Sequence, residues 1–446
     1  MNPGVRYRAD AVLACDESMA IHRPGVVDVD GAGRITWVGS APDAPARPEG
    51  WTERRLDGLL MPGLVNVHCH SPMTLLRGQG DALPLSAWLT EVVWPREARM
   101  GVDDVYAGML LASAELLRFG VTTSVEMYFH HDAVARAVDE SGARCVMTPG
   151  VVVAPGWERF GDWTAQVDHV RRMVERYRDH PRIEVGFGPH AAYTLPDQAL
   201  REVGEQARQT GALVHLHLAE TEHEGDEVSA RHGGASVPRI LADLGLFEGN
   251  RVLAAHAVWL SDQDIDLLAR YRVAVAHCPG SNAKLASGVA RVAALRAAGI
   301  TVGLGTDGPA SNNDLDLWEE LRLAALLARL ADRDPTALSA ADVLGMATRE
   351  GAAAVGRDDL GVLAPGRWAD MLRVDLSDPA FVPMFTDADL LAHLVFAAPR
   401  RVVRDVWVGG DQVVADGTCL RVDTATAGRA AQRAATGLAG GDQDGG

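Results

Sequence analysis

Between Pro62 and about Gly356, short apolar runs alternate with amphipathic helical stretches roughly eight times, a rhythm that leaves few folds open to the chain. The apolar runs begin at Leu64, Val121, Ala143, Ile183, Leu213, Arg251, Val273 and Thr301. The stretches between them, such as 103–120, 198–211 and 317–331, repeat apolar residues at helical spacing. Eight such units predict an α/β protein built on a closed (β/α)8 TIM barrel over residues 62–356, with an open doubly wound sheet as the alternative.

The ends of the chain have a different texture. From Val5 to Leu60 the sequence reads as short strands and turns, with a hairpin signal at Asp30-Gly31-Ala32-Gly33. After Leu360 the same texture returns. Neither segment is long enough to bury a good core alone. Residues 1–61 and 357–424 are therefore expected to pair as one small β-sandwich domain. The tail, 425–446, is Ala, Gly, Gln and Asp in large part and is expected to be disordered.

In a barrel of this kind the active site lies at the C-terminal ends of the strands, and here those ends collect polar residues. The first strand closes with His68 and His70, two apart and so on one strand face. The fifth holds His215 and His217, with Glu220 just beyond it. His256, His277 and Asp307 end the sixth, seventh and eighth. One such residue alone is as readily an ordinary buried histidine, but a buried imidazole or carboxylate is costly unless paired or metal-bound, and six or so share one end. Imidazoles and a carboxylate suit one divalent ion, Zn²⁺ first and Fe²⁺ or Mn²⁺ as alternatives. The set chosen is His68, His70, His217 and Asp307. His215 could replace His217 but lies deeper in its strand, and His277 is equally readable as a core residue or a pocket wall. Asp307 and His256 can take a proton from metal-activated water, and Glu220 can protonate the substrate atom that gains electron density. The chemistry is metal-assisted hydrolysis.

Composition narrows the partners. The 446 residues carry a net charge of −18, which speaks against nucleic acid and anionic membrane and leaves a small-molecule substrate open. Cys15, Cys69, Cys145, Cys278 and Cys419 are scattered, with no Cys-x-x-Cys pair, as in a reduced cytoplasmic protein. No apolar run is long enough to span a bilayer, and the N-terminus lacks a basic segment followed by an apolar core.

The strings PGLVNVHCH, HLAE, AAHAV and GLGTDG together resemble the amidohydrolase superfamily. Longer ones, among them HCHSPMTLLRG, LPLSAWLTEVVWPRE, HLAETEHE and HCPGSNAKLASG, are similar to its 5′-methylthioadenosine/S-adenosylhomocysteine deaminase group, and the likeness runs over nearly the whole chain. The resemblance implies one metal on His68, His70, His217 and Asp307, Glu220 at the purine N1, and His256 against the attacking water. It also implies Trp88 beside the purine and 5′ group, Glu97 at the ribose hydroxyls, His190 at the purine ring, and a homo-oligomer. Binuclear relatives bridge their ions with a carbamylated lysine on an early strand. Lys284, in a late loop, is the only lysine here.

Two departures stand out. Homocysteine-accepting relatives carry arginines after the third strand, whereas this chain has none from Thr148 to Pro155 and only Arg159 within reach. The expected activity is hydrolytic deamination of an adenine nucleoside of the methylthioadenosine, adenosine, 5′-deoxyadenosine or S-adenosylhomocysteine type, and the missing arginines shift weight towards the neutral 5′ groups. Glu126 stands where the group has Asp. The rival expectation is the same machinery on another amino- or chloro-substituted heterocycle of guanine, pterin, cytosine or s-triazine type, and a third is a barrel that binds without turnover.

Overall fold

The computed structural model describes residues 3–398 and 400–440. Eight parallel strands form the barrel: Leu64–Cys69, Val121–Glu126, Arg144–Met147, Ile183–Val185, Val214–Leu218, Val252–His256, Ala274–His277 and Val302–Leu304. Strands one to four hydrogen-bond in sequence, as do five to eight. The two halves are joined where Phe187 N–H donates to Leu213 O at 2.7 Å and His215 N–H to Phe187 O at 2.9 Å. The ring closes from eighth to first through Asp307 N–H to His68 O at 3.0 Å. The closed barrel, not the open sheet, is what the chain adopts. The third and fourth strands resume beyond short breaks as Gly150–Val151 and Gly188–Pro189, paired in parallel.

Glycines let the backbones close. Gly303-Leu304-Gly305-Thr306-Asp307-Gly308 has the spacing of a phosphate-binding turn, but its glycines have a packing cause. A methyl group on Gly303 would lie 2.9 Å from Val67, on Gly305 2.8 Å from His68 Cβ, and on Gly308 2.6 Å from Met73 Sδ. Below the histidines the barrel is filled by Val67, Val146, Leu213, Leu253 and Ala276, and Ala352 of the helix Arg349–Ala354 packs with them.

The two terminal segments do join. Strands from both ends make one nine-stranded mixed sheet in which Thr52–Pro62 pairs with Val5–Leu13 on one side and Met371–Val374 on the other. The sheet curls on itself, with Ile35 N–H donating to Arg367 O and Tyr7 packed edge-on against Trp407 at 5.3 Å. It is fastened to the barrel by a buried ion pair. Arg144 on the third strand donates to both carboxylate oxygens of Asp370, which also accepts Gly409 N–H at 2.6 Å.

The tail is a correction. Expected to be disordered, it forms the helix Thr424–Gly440, which lies on the helix Val102–Arg118 and buries Ala427, Ala431 and Leu438. Those positions follow the helical period, but alanine carries too little apolar area to make the stripe prominent in a sequence. Residues 441–446 of that expectation lie outside the described residues. No helix among the described residues is long and apolar enough to cross a membrane.

Removing one partner of the Arg144–Asp370 pair leaves a buried charge uncompensated. Asp370→Ala is expected to destabilise the protein by about 3–5 kcal/mol in urea unfolding, and the Arg144→Met/Asp370→Leu double variant by clearly less.

Candidate metal centre and active site

Three imidazoles present lone pairs to one point, and the hydrogen bonds behind them say why. Thr148 Oγ donates to Glu126 O at 3.1 Å, so towards His215 Nδ1, 2.9 Å away, it can only accept. His215 is then protonated on Nδ1, and its Nε2 accepts from His68 Nδ1 at 2.8 Å. This leaves His68 Nε2 bare, buried and without a hydrogen bond. His70 Nδ1 donates to Met127 O at 2.6 Å, and His217 Nδ1 to His190 O at 2.9 Å, so their Nε2 atoms are also acceptors. Yet His70 Nε2 and His217 Nε2 stand 3.2 Å apart. Asp307 Oδ1 lies 3.3 Å from His68 Nε2 and 3.2 Å from His70 Nε2. Acceptors facing acceptors at such distances, with no proton between them, repel unless a cation lies among them. Burial holds His68 down to about 4 and His217 well below its usual range, so neither becomes charged at neutral pH. The residues fit a divalent ion with nitrogen and oxygen ligands.

Asp307 is fixed on its other edge. Its Oδ2 accepts from Ser281 Oγ at 2.6 Å and Ser311 Oγ at 2.8 Å. Lys284, the sole lysine, donates to Ala310 O and Asn313 Oδ1 in the loop after the last strand, far along the chain from any early barrel strand. It cannot bridge a second ion there.

Beside this cluster sits an acid–base pair. His256 Nε2 lies 3.7 Å from Glu220 Oε2 and has no hydrogen-bond partner among the described residues, while its Nδ1 donates to Asn282 Oδ1 at 2.9 Å. Burial pushes the Glu220 carboxyl up to about 7. For His256 burial works downward, but the carboxylates of Glu220 and Asp307 prevail and its pKa is raised. Both shifts favour keeping a proton on the pair near neutrality. The backbone aims these groups: Ala219, His256 and Asp307 all have positive φ, of 51°, 71° and 59°. Non-glycine residues hold that conformation only where the surroundings enforce it, as at active sites.

The cluster floors a cavity. Trp88, Trp94, Tyr128, Trp157 and His190 are among its walls, as is Glu97, whose carboxyl burial pushes up to about 8. Among the described residues, no arginine or lysine lines it. Trp88 opens a single π-helical turn, Trp88–Val93, the kind of irregularity often found at functional sites. Two of the sequence candidates stay outside. His277 is buried but is not part of the wall, and its Nδ1 has no hydrogen-bond partner among the described residues. Arg159 donates from behind to the carbonyls of Glu97, Ala98 and Met100, at 2.8, 3.0 and 2.9 Å.

Sequence reading named His215 only as an alternative ligand and Glu126 only as a departure, and it missed the supporting roles of both and of Thr148, Ser281, Asn282 and Glu320. His215 and Thr148 set a tautomer, and Asn282 and Ser281 sit at the start of the short helix Pro279–Lys284 after the seventh strand. That helix is secured by Glu320, which accepts from Gly280 N–H at 2.8 Å and Asn312 Nδ2 at 2.9 Å. Glu126 secures the turn after His70 by accepting from the Ser71 N–H at 2.9 Å and the Ser71 hydroxyl. Asn282 and Ser281 carried a signal too, lying next to a strand end where active-site residues gather. Thr148→Val removes the acceptor that fixes His215. Zinc affinity, measured by chelator competition, is expected to fall ~10–100-fold, and an unchanged affinity would contradict the tautomer relay.

Comparison with known proteins agrees with this geometry. The amidohydrolase family model matches residues 59–413. A 5-methylthioadenosine/S-adenosylhomocysteine deaminase of Pelotomaculum thermopropionicum is 41% identical over 418 residues, covering 92% of this chain and 93% of its own. A 5′-deoxyadenosine deaminase of Methanothermobacter thermautotrophicus is 44% identical over 361 residues, covering 80% and 82%. Among solved structures, an adenosine deaminase from Xanthomonas campestris with bound zinc is 37% identical and superposes with a TM-score of 0.92 over 98% of both chains. By family model, sequence and fold, the chain belongs to the amidohydrolase family.

Proposed function

We propose that the protein is a metal-dependent hydrolytic deaminase of an adenine nucleoside with a neutral 5′ group, of the methylthioadenosine, 5′-deoxyadenosine or adenosine type. It replaces the 6-amino group by oxygen and releases ammonia. The observation that carries this reading is the Glu220–His256 pair, 3.7 Å apart, on the wall of the cavity whose floor is the imidazole and carboxylate cluster. The relatives named as deaminases of such nucleosides support the substrate class.

His68, His70, His217 and Asp307 would hold one divalent ion, with Zn²⁺ favoured by the nitrogen-rich set and by the zinc in the Xanthomonas structure. When bound, it supplies the Lewis acidity that makes water nucleophilic near neutral pH. The side chains do the rest. His256, kept in one tautomer by Asn282, and Asp307 accept the proton of the attacking water. Addition at C6 of the purine places negative charge on N1, and Glu220, held neutral by burial, delivers a proton there. The C6 carbon then carries a hydroxyl and an amino group. Passing the hydroxyl proton to the amino group through the same pair lets ammonia leave and the 6-oxo group form. Trp88 and Trp94 offer apolar faces to the ring, and Glu97 offers oxygens to the ribose diol. S-adenosylhomocysteine, whose 5′ arm ends in a carboxylate, meets no arginine or lysine among the described residues of the wall. A cytoplasmic, homo-oligomeric protein completes the proposal, and five free, buried cysteines support the reducing compartment.

Ammonia release from adenosine, methylthioadenosine, 5′-deoxyadenosine, S-adenosylhomocysteine and guanine, run side by side, tests the substrate class. Neutral 5′ groups are expected to lead, whereas activity confined to guanine or to the homocysteine conjugate would overturn the reading. Because Glu220 must be protonated to act, kcat/KM is expected to fall as pH rises through about 7. Glu220→Gln should lower kcat by ~10²–10⁴-fold with metal content intact. Glu97→Ala should cost ~10–100-fold in kcat/KM on nucleosides, the worth of two hydrogen bonds to a diol. A loss below threefold would favour a heterocycle without ribose.

A further inference from the structure

Trp157 stands where three hollows meet. Its side chain borders the catalytic cavity, a second hollow walled in part by Phe129, His130, His169 and Arg172, and an outer cleft. Gly150 borders the first two as well. A methyl group on Gly150 would lie 3.3 Å from the indole Cη2, so the edge of the ring rests on bare backbone. The partition between the two cavities is thus largely one indole seated on a glycine, packed against Phe129 and Phe160 at 5.4 and 5.5 Å.

The loop that carries this ring is built to stand by itself. Gly156 and Gly161, on either side, have φ of 88° and 84°, values that favour glycine. Arg159 in the same loop makes the bonds already described to the carbonyls of Glu97, Ala98 and Met100. Its guanidinium also lies over Phe160 at 4.7 Å. Arg159 therefore latches the Trp157 loop to the segment that bears Glu97.

Topology decides which end of a substrate meets the partition. In a ring of eight strands, the sixth and seventh stand across from the second and third. Glu220 and His256 follow strands five and six, so the reacting edge of the adenine faces that side. The sugar and its 5′ arm are turned towards the loops after strands one to three, which carry Glu97, Tyr128 and Trp157. We infer that Trp157, latched by Arg159, is a specificity-determining wall that limits the length of the 5′ arm, the second cavity being the space a longer arm would enter. This rests on the adenine-nucleoside reading above.

The test compares 5′-deoxyadenosine with 5′-octylthioadenosine, a long arm without charge, so that length alone is read. In Trp157→Ala the ratio of kcat/KM for the long over the short substrate is expected to rise about tenfold or more, chiefly through KM, as buried methylenes gain a place to go. Arg159→Met, which leaves the indole in place but loosens its loop, should move the ratio the same way by less. It also keeps the idea testable if Trp157→Ala does not fold. A ratio that stays or falls in both variants, or a wild type that already turns over both substrates equally, would overturn the wall. Failure of the parent reading looks different: the wild type would release no ammonia from either nucleoside, and the wall would fall with it.

Discussion

Nitrogen lone pairs do not tolerate one another at 3.2 Å, and the whole upper face of this barrel is arranged around that intolerance. Each Nε2 is left bare because the opposite ring nitrogen is occupied: His68 by His215, His70 by Met127 O, His217 by His190 O. Those partners come from the second, fourth and fifth strands or the loops directly after them. The repulsion is therefore paid for by the packing of the barrel itself, and a cation releases it. The same argument explains why Asp307 is gripped by two serine hydroxyls on the edge away from the histidines. A carboxylate free to rotate would relieve the crowding by turning away.

From this follows a division of labour around the rim. Strands one, five and eight supply the candidate ligands, strands five and six the acid–base pair, and the loops after strands one to three an apolar enclosure. Burial serves both halves. It keeps His68, His190 and His217 neutral, and it raises Glu220 and Glu97 so that carboxyl groups in the cavity can hold protons near pH 7. Water enters such a space as a reagent more than as solvent.

Much of this was legible in the sequence, for a definite reason. A barrel sends every strand end to one face, so His68, His70, His217, His256 and Asp307 could be brought together by knowing only that they end strands. What holds them could not. The tautomer relay from Thr148 through His215 to His68 crosses three strands, and no spacing along the chain encodes it. Arg159 looked like a candidate for substrate charge, but its loop turns it towards backbone carbonyls. The terminal helix hid in an alanine stripe, where the period was right and the signal weak. Elements set by local pattern were readable, and those set by contacts between loops were not.

The account stands or falls on one ion among four side chains. A crystal structure of zinc-loaded protein, with anomalous data collected at the zinc edge, tests this most directly. The prediction is one peak per chain, with His68 Nε2, His70 Nε2, His217 Nε2 and an oxygen of Asp307 at ~2.0–2.2 Å. A peak elsewhere, two peaks in the cavity, or no peak between these residues in a stoichiometrically loaded sample would contradict it.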